Sequence, residues 1–217
     1  MGAAGCLSNL AAVAIAREDF DRVESVQSEA LAIFEPLGLT ENICLSLFQL
    51  GIAALTREEY DLARGRFKQA LDLSREADNR WNIIAALDNL AGVENFRNRP
   101  EAARKPLTEC LLRLRDMPDP ILGVSALENT AAVILGTQPA ASAVLLAAAG
   151  AERVRHQMPG LSYERRRIEQ RTTALRALLG EAGFASAVAE GGAFTLAQAL
   201  ARAESALEVG PAAGLEG

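Results

Sequence analysis

Apolar and polar residues alternate along most of the chain with the period of amphipathic helices. In segment 45–71, LSLFQLGIAALTREEYDLARGRFKQAL, apolar or small side chains recur at i, i+3, i+4 and i+7 from Leu47. This spacing predicts one buried stripe on a first helix. After the short polar connection TREEY, the same spacing starts again at Tyr60 and includes Phe67. The pattern therefore predicts two antiparallel helices, with Gly51 and Ala63 small because the two backbones cross closely.

The helix pair recurs at a step of 40 residues. Copies align without a gap at Leu7, Leu47, Leu87 and Leu127, and small residues align at Ala11, Gly51, Ala91 and Ala131. Self-similarity at a fixed period indicates a solenoid, in which each unit buries its apolar face against its neighbours. We predict an all-α protein with four helix pairs in residues 1–157, three capping helices in 158–207 and a disordered tail in 208–217. The side chains expected in the core include Leu50, Phe67, Leu71, Leu90, Leu107 and Leu111.

One helix pair resembles the tetratricopeptide repeat. Its large, small and aromatic positions follow the order of that motif at Leu47, Leu50, Gly51, Ala54, Ala63, Phe67 and Ala70. The likeness extends from Cys6 to about Gln157, but the step of 40 exceeds the usual 34 of this repeat. The extra residues are expected to lengthen the second helix and the turn after it. The resemblance implies a right-handed α-solenoid that binds a protein or peptide segment in its concave groove.

The last sixty residues resemble the C-terminal end of the helical-repeat arrays in large bacterial ATP-dependent regulators. These are the LuxR-type, adenylate-cyclase-associated and STAND-like proteins. Gly180 is predicted to end one helix, Gly191 and Gly192 to end the next, and Thr195 to cap the last through a capping box with Gln198. Val188 stands where these regulators usually carry an aromatic residue. The resemblance implies a sensor or interaction module of a signalling or transcriptional regulator.

No phosphate-binding motif GxxxxGK[ST] occurs in the sequence, so the ATPase of such regulators is not encoded in it. The chain is therefore expected to be the repeat region alone. Because the first repeat begins almost at Met1, a fragment of a larger regulator is favoured over an independent relative. The possible partners are then other domains of the same regulator, a separate protein or peptide, or a second copy of the chain.

Composition and charge argue against several classes of binding partner. The chain has 217 residues, 50% of them hydrophobic, and a net charge of −6. This balance argues against a general affinity for nucleic acid or anionic lipid. The three cysteines (Cys6, Cys44 and Cys110) share no CxxC spacing and are expected to be reduced packing residues of a cytoplasmic protein. The uncharged run 130–151 contains the turn GTQP, which argues against a membrane-spanning helix.

The sequence contains little that could support catalysis, and we predict no enzyme activity, metal or cofactor. One histidine, His156, follows a predicted helix end, and no metal site can be assembled from it and three scattered cysteines. The basic cluster Arg165–Arg167 is interleaved with Glu164 and Glu169 at helical spacing. This arrangement is typical of a solvated helix face and does not predict nucleic-acid binding.

The candidate binding site follows from one position of the repeat. Asn9, Gln49, Asn89 and Asn129, which we call the amide positions, are carboxamides separated by the 40-residue step. Each points about 150° away from the apolar stripe of its own helix. First helices line the inner wall of such solenoids, so the amides are expected to form a ladder along the groove. The neighbouring residues predicted on the same side are Ser8, Phe48, Asp88 and Glu128.

Two interpretations of the amide positions stay open. Carboxamides carry both a donor and an acceptor, which suits the backbone of an extended peptide. With Asp88 and Glu128 present, Phe48 as an apolar anchor and no Lys or Arg assigned to the groove, that peptide is expected to be neutral or basic. Alternatively, each amide bridges to the adjacent repeat and only sets the stacking. The corresponding alternative function is a structural spacer or oligomerisation arm of a larger ATP-dependent regulator.

Overall fold

The computed structural model describes residues 2–209, apart from the side chains of residues 2–6, 8 and 9. Ten helices and no strand occupy this range. Their bounds are α1 Gly2–Ala16, α2 Phe20–Phe34, α3 Thr40–Thr56, α4 Tyr60–Glu76, α5 Arg80–Phe96, α6 Pro100–Asp116, α7 Pro120–Ile134, α8 Pro139–Arg155, α9 Ser162–Gly192 and α10 Leu196–Glu208. Consecutive helices pack as neighbours from α1 to α5 and again from α6 to α9, as in a tetratricopeptide-like solenoid, so the predicted all-α repeat fold is confirmed.

The repeat is also visible in the turns. Glu18, Glu58 and Asn98 follow α1, α3 and α5 at the 40-residue step, and each has a positive φ between 55° and 63°. At Glu58 the backbone forms a Schellman motif, in which Glu59 N–H donates to Ala54 O (2.9 Å) and Glu58 N–H to Leu55 O (3.1 Å). Gly38 and Asp78, in the turns between repeats, also have a positive φ. From α1 to α5, the left-handed residues Glu18, Gly38, Glu58 and Asp78 reverse the chain, so that the helices they join pack as antiparallel neighbours.

Helix starts follow the sequence signals closely. Pro100 and Pro139 lie in the first turn of α6 and α8, where a missing N–H leaves no helical bond unmade. Asn79 and Asp119, again 40 residues apart, cap α5 and α7 by accepting from the backbone N–H three residues later. The uncharged run 130–151 is divided between α7 and α8 by the GTQP turn. No helix among residues 2–209 is both long enough and apolar enough to span a membrane.

Residues 1–97 form one compact unit, which contains α1 to α5. Its centre is Phe67 of α4, which is completely buried and lies against Gly51 of α3. A Cβ added to Gly51 would stand 2.4 Å from Phe67 Cε1. Gly51 was expected to be small because two backbones cross closely there. In the structure it must be small because the ring of Phe67 occupies the space of a Cβ. Leu50 and Leu71 are buried as predicted, whereas Leu90 of α5 is only partly buried within the described residues.

Residues 98–217 form the second compact unit, which is described from α6 to α10. Leu107 and Leu111 of α6 are completely buried, as predicted. Gly180 has a non-helical conformation (φ 68°, ψ 167°) and divides α9 into two segments at the predicted position. Helix α10 begins with the predicted capping box of Thr195 and Gln198, and packs against α6, α7 and α8. The tail predicted for 208–217 lies, from residue 210 onward, outside the described residues.

Candidate interaction site

The amide positions lie on the first helix of each pair. Gln49 on α3 and Asn89 on α5 belong to the first compact unit, and Asn129 on α7 belongs to the second. All three side chains are partly exposed. The side chains of Ser8 and Asn9 lie outside the described part of α1. The structure therefore describes three of the four amide positions, and each lies at the same step of the repeat.

Gln49 contacts the preceding helix pair. The Nε2 group of Gln27, a residue of α2 that is only 2% exposed, donates a hydrogen bond to Gln49 Oε1. A buried amide without such a bond would cost about 1–3 kcal/mol, so the bond explains how Gln27 can be buried. It leaves the two N–H donors of Gln49 Nε2 without a partner among the described residues. Gln49 thus contributes to repeat stacking through its oxygen and remains a donor through its nitrogen.

Asn89 uses the opposite half of its carboxamide. Its Nδ2 donates to the carbonyl oxygen of Ala85, one turn earlier in α5, at 2.8 Å. No partner for Asn89 Oδ1 occurs within the described residues. The two amides of the first unit therefore present complementary groups, a donor at Gln49 and an acceptor at Asn89.

The three other predicted partner-binding residues are almost completely buried. Phe48 is 6% exposed and its ring packs tilted against Phe67, with centroids 6.5 Å apart. Asp88 is 3% and Glu128 is 8% exposed. The angle on a helical wheel placed them away from their own stripe, but it could not show which neighbouring side chains cover that face. They lie behind the partly exposed amides and not beside them on the surface.

Glu128 is held by a network that the sequence did not reveal. Arg153 of α8 donates to both carboxylate oxygens, Nε to Oε1 at 2.6 Å and Nη2 to Oε2 at 3.0 Å. Arg153 Nη2 also donates to Glu164 of α9 at 3.2 Å, and Arg171 Nη1 donates to the Glu128 carbonyl oxygen at 3.1 Å. No Lys or Arg was among the residues assigned to the groove, and the structure adds Arg153 and Arg171 as neighbours of Glu128. The arginines come from helices that follow it by more than twenty residues.

Burial shifts the pKa values of Glu128 and Arg171 in this network. Loss of solvation raises the pKa of Glu128, while the hydrogen bonds and charge of Arg153 act in the opposite direction. The hydrogen bonds from Arg153 to Glu128 raise the pKa of that guanidinium. For Arg171, desolvation and the nearby charge of Arg167 lower the pKa to about 10, so the group is a partly buried cation at neutral pH. The network therefore surrounds a buried carboxyl group, whose pKa is raised, with arginine side chains.

Arginine ion pairs join neighbouring repeats at another position that the sequence reasoning missed. Arg57, which follows α3, pairs with Asp21 and with Glu24 of α2, the latter at 2.6 Å. Forty residues later, Arg97 pairs with Asp61 of α4 at 2.6 Å. The 40-residue step of the arginines and of the two aspartates was the available signal. Because both aspartates are solvent-exposed, these pairs guide register more than they add stability.

Reactive side chains are few in the described part of the chain. Cys44 and Cys110 are buried and form no disulfide, and burial raises the pKa of the Cys44 thiol, which suits a packing role. His156 follows α8 and lies 3.3 Å from the carboxylate of Glu152, the helix-terminal position expected for it. No group of three or more potential metal ligands occurs among the described residues.

Comparison with known proteins finds a family model that matches the first two helix pairs. Residues 3–76 match the tetratricopeptide repeat family model. Together with the helical repeat, this match supports a tetratricopeptide-repeat protein. Tetratricopeptide repeats generally mediate protein–protein interaction and are typically non-catalytic scaffolds. No curated protein and no solved structure matches the chain. The link between the C-terminal segment and ATP-dependent regulators stays a prediction.

Proposed function

We propose that this chain is a non-catalytic interaction module that binds a peptide or protein segment through the first-helix surface that carries Gln49 and Asn89 in the first compact unit, with Asn129 as a separate contact in the second unit. The observation that carries the proposal is the division of each carboxamide in the first unit. Gln49 uses its oxygen within the fold and keeps its donors, whereas Asn89 uses a donor and keeps its oxygen. An extended peptide backbone offers both a carbonyl and an N–H group, and so can satisfy both amides.

The buried members of the predicted site have a supporting role in this proposal. Phe48 fixes α3 against Phe67, and so holds the helix that carries Gln49. Asp88 precedes Asn89 in the interior of α5, and Glu128 precedes Asn129 in α7. Their packing holds the amides on rigid helices, which lowers the entropy lost when a partner binds. The partner contacts themselves are assigned to the amides.

The biological setting is proposed from the C-terminal segment. Its likeness to the repeat arrays of bacterial LuxR-type and related ATP-dependent regulators supports a role in cytoplasmic signalling or transcriptional control. Other domains of the same regulator are then candidate partners, as is a second copy of the chain. The alternative, a spacer or oligomerisation arm, is favoured by the bond between Gln27 and Gln49, because that bond uses an amide for stacking.

Replacing Gln49 and Asn89 together by Ala tests the proposal against the alternative. Partners captured by the tagged chain from a lysate of its source would be quantified by mass spectrometry, and the melting temperature measured in parallel. The matched control replaces Gln69 and Gln170, two exposed carboxamides on α4 and α9, by Ala. We expect the first variant to lose captured partners and the control to keep them. Unchanged capture with a lowered melting temperature would assign the amides to stacking.

A further inference from the structure

A pocket opens in the second compact unit, between the C-terminal end of α8, the loop after it and α9. Its volume is about 560 Å³, and its apolar wall is formed by Leu146, Val154, Met158, Pro159 and Ile168. Glu128 and Arg153 form its polar side. Ligand pockets typically have volumes of about 300–1,000 Å³, mostly apolar walls and a few fixed polar groups. The pocket has each of these properties.

The polar side of the pocket is held in one geometry. Arg153 donates three hydrogen bonds that hold it in place, two to Glu128 and one to Glu164. Glu164 in turn accepts from the backbone N–H of Leu161 at 3.0 Å, which joins the network to the start of α9. No hydrogen bond from Arg153 Nη1 occurs among the described residues. A preorganised guanidinium with a remaining donor is suited to binding an external acceptor.

Positive charge exceeds negative charge around the pocket, although the whole chain is acidic. Arg165 Nη1 donates to the carbonyl oxygen of Gly160 at 2.6 Å, and a Cβ placed on Gly160 would stand 2.9 Å from Arg153 Nη1. The same Cβ would stand 3.0 Å from Glu164 Oε2, so the Arg153 guanidinium and the carboxylate that it holds both lie beside Gly160, next to the wall residue Pro159. Arg171 lies on the Glu128 carbonyl with Arg167 close enough to lower its pKa. Four arginines thus surround two carboxylates, those of Glu128 and Glu164.

We propose that this pocket binds a large apolar side chain of a partner peptide in which an acidic residue stands next to that side chain. The apolar group is buried between Val154, Met158 and Ile168, where the flexible methionine adapts to its shape. The carboxylate accepts a hydrogen bond from Arg153 Nη1 at the polar side of the pocket, and the surrounding arginines favour its negative charge. This inference rests on the proposed function in assuming that the partner is a peptide. It adds a second contact surface, whose charge preference is opposite to that expected beside the amides.

Methionine methyl groups provide a direct probe of binding. The chain has three methionines, and Met158 lines the pocket whereas Met117 lies at the end of α6. With ¹³C-methyl labelling, the full chain is titrated with an acetylated and amidated peptide Gly-Glu-Phe-Glu-Gly. Counterparts carry Lys in place of Glu, or Ala in place of Phe. We expect saturable shifts at Met158 and none at Met117, and binding at least about tenfold weaker for each counterpart, because each lacks the complementary charge or the buried ring.

A charge placed at the pocket edge completes the test. Val154 is 80% exposed, so Val154→Asp should leave the fold intact while placing a carboxylate beside the entering acidic peptide. The control is Val188→Asp, at an exposed position in the second segment of α9. We expect the first variant to bind the peptide at least about tenfold more weakly, because like charges in contact oppose association. The second variant should bind it as tightly as the unchanged chain.

The outcomes separate this inference from the proposed function. A Met158 signal that stays in place at millimolar peptide, or that moves equally with the Lys peptide, would overturn the pocket assignment. If Gln49 and Asn89 still control partner capture in that case, the proposed function stands without the pocket. If the Glu–Phe–Glu peptide binds while the amide variant captures normally, the pocket stands and the amide surface does not.

Discussion

At the scale of single residues, the first compact unit depends on the contact between a glycine and an aromatic ring. Gly51 of α3 has no Cβ, and the completely buried ring of Phe67 occupies the space where one would be. Gly51 is therefore needed for packing. Gly65 of α4 is different, because a Cβ there would meet no heavy atom within 4 Å. The two glycines form a matched pair with opposite roles.

Substitution of each glycine by alanine should change stability in opposite directions. Gly51→Ala is expected to lower the free energy of unfolding by about 1–3 kcal/mol, the usual cost of overpacking a core. Gly65→Ala should raise it by about 0.5–1 kcal/mol, because alanine loses less entropy than glycine in a helix interior. Urea unfolding followed by circular dichroism measures both. Equal effects of the two substitutions would contradict the assigned contact with Phe67.

Arg153 pairs with the carboxylates of Glu128 and Glu164 in the second unit. Arg153→Ala should lower the free energy of unfolding by about 3–5 kcal/mol, because Glu128 would remain buried without its partner. Arg165→Ala, at an exposed position on α9, is the control and should change it by less than about 1 kcal/mol. Thermal unfolding of the full chain compares them. Two variants of equal stability would show that Glu128 does not need Arg153.

At the scale of elements, the repeat is determined by its turns as much as by its helices. The turn after α3 places Glu58 at φ 63°, whereas the turn after α2 has Gly38 at φ 62°. Residues other than glycine are strained in this left-handed conformation. A glutamate at the same backbone geometry therefore stores a strain that the glycine avoids.

Glycine should be the more stabilising residue at both left-handed turn positions, Glu58 and Gly38. Glu58→Gly is expected to raise the free energy of unfolding by up to about 1 kcal/mol, and Gly38→Ala to lower it by about 1 kcal/mol. No heavy atom lies within 4 Å of a Cβ at Gly38, so its substitution tests the conformation alone. Chemical denaturation of the two variants measures the difference. A destabilising Glu58→Gly would mean that the Glu58 side chain has a role in the turn.

The helices and their limits could be predicted from the sequence because each depends on local signals. The period of apolar residues, the prolines at the starts of α6 and α8 and the Gly180 break all act within a few positions of the chain. Partners of polar side chains could not be predicted in this way. A helical wheel gives the direction of Gln49 and Phe48 relative to their own helix. It does not show that Gln27 donates a hydrogen bond to Gln49, or that side chains of other helices cover Phe48.

At the scale of the whole molecule, a 40-residue unit is repeated and then followed by helices that depart from it. The period places carboxamides on α3, α5 and α7, whereas the pocket also needs residues of the loop after α8 and of α9, which follow the last repeat. The periodic part was therefore predictable and the pocket was not. Arg153, Met158 and Ile168 come together only through the packing of α9 on α8.

The central claim is that a partner binds the first-helix surface that carries the amides. Hydrogen–deuterium exchange of the full chain, with and without a captured partner, tests it most directly. The account predicts slower exchange in α3 and α5 on binding, with little change in α4, whose exposed face belongs to a second helix. Protection confined to α4, or a partner that protects neither α3 nor α5, would contradict it.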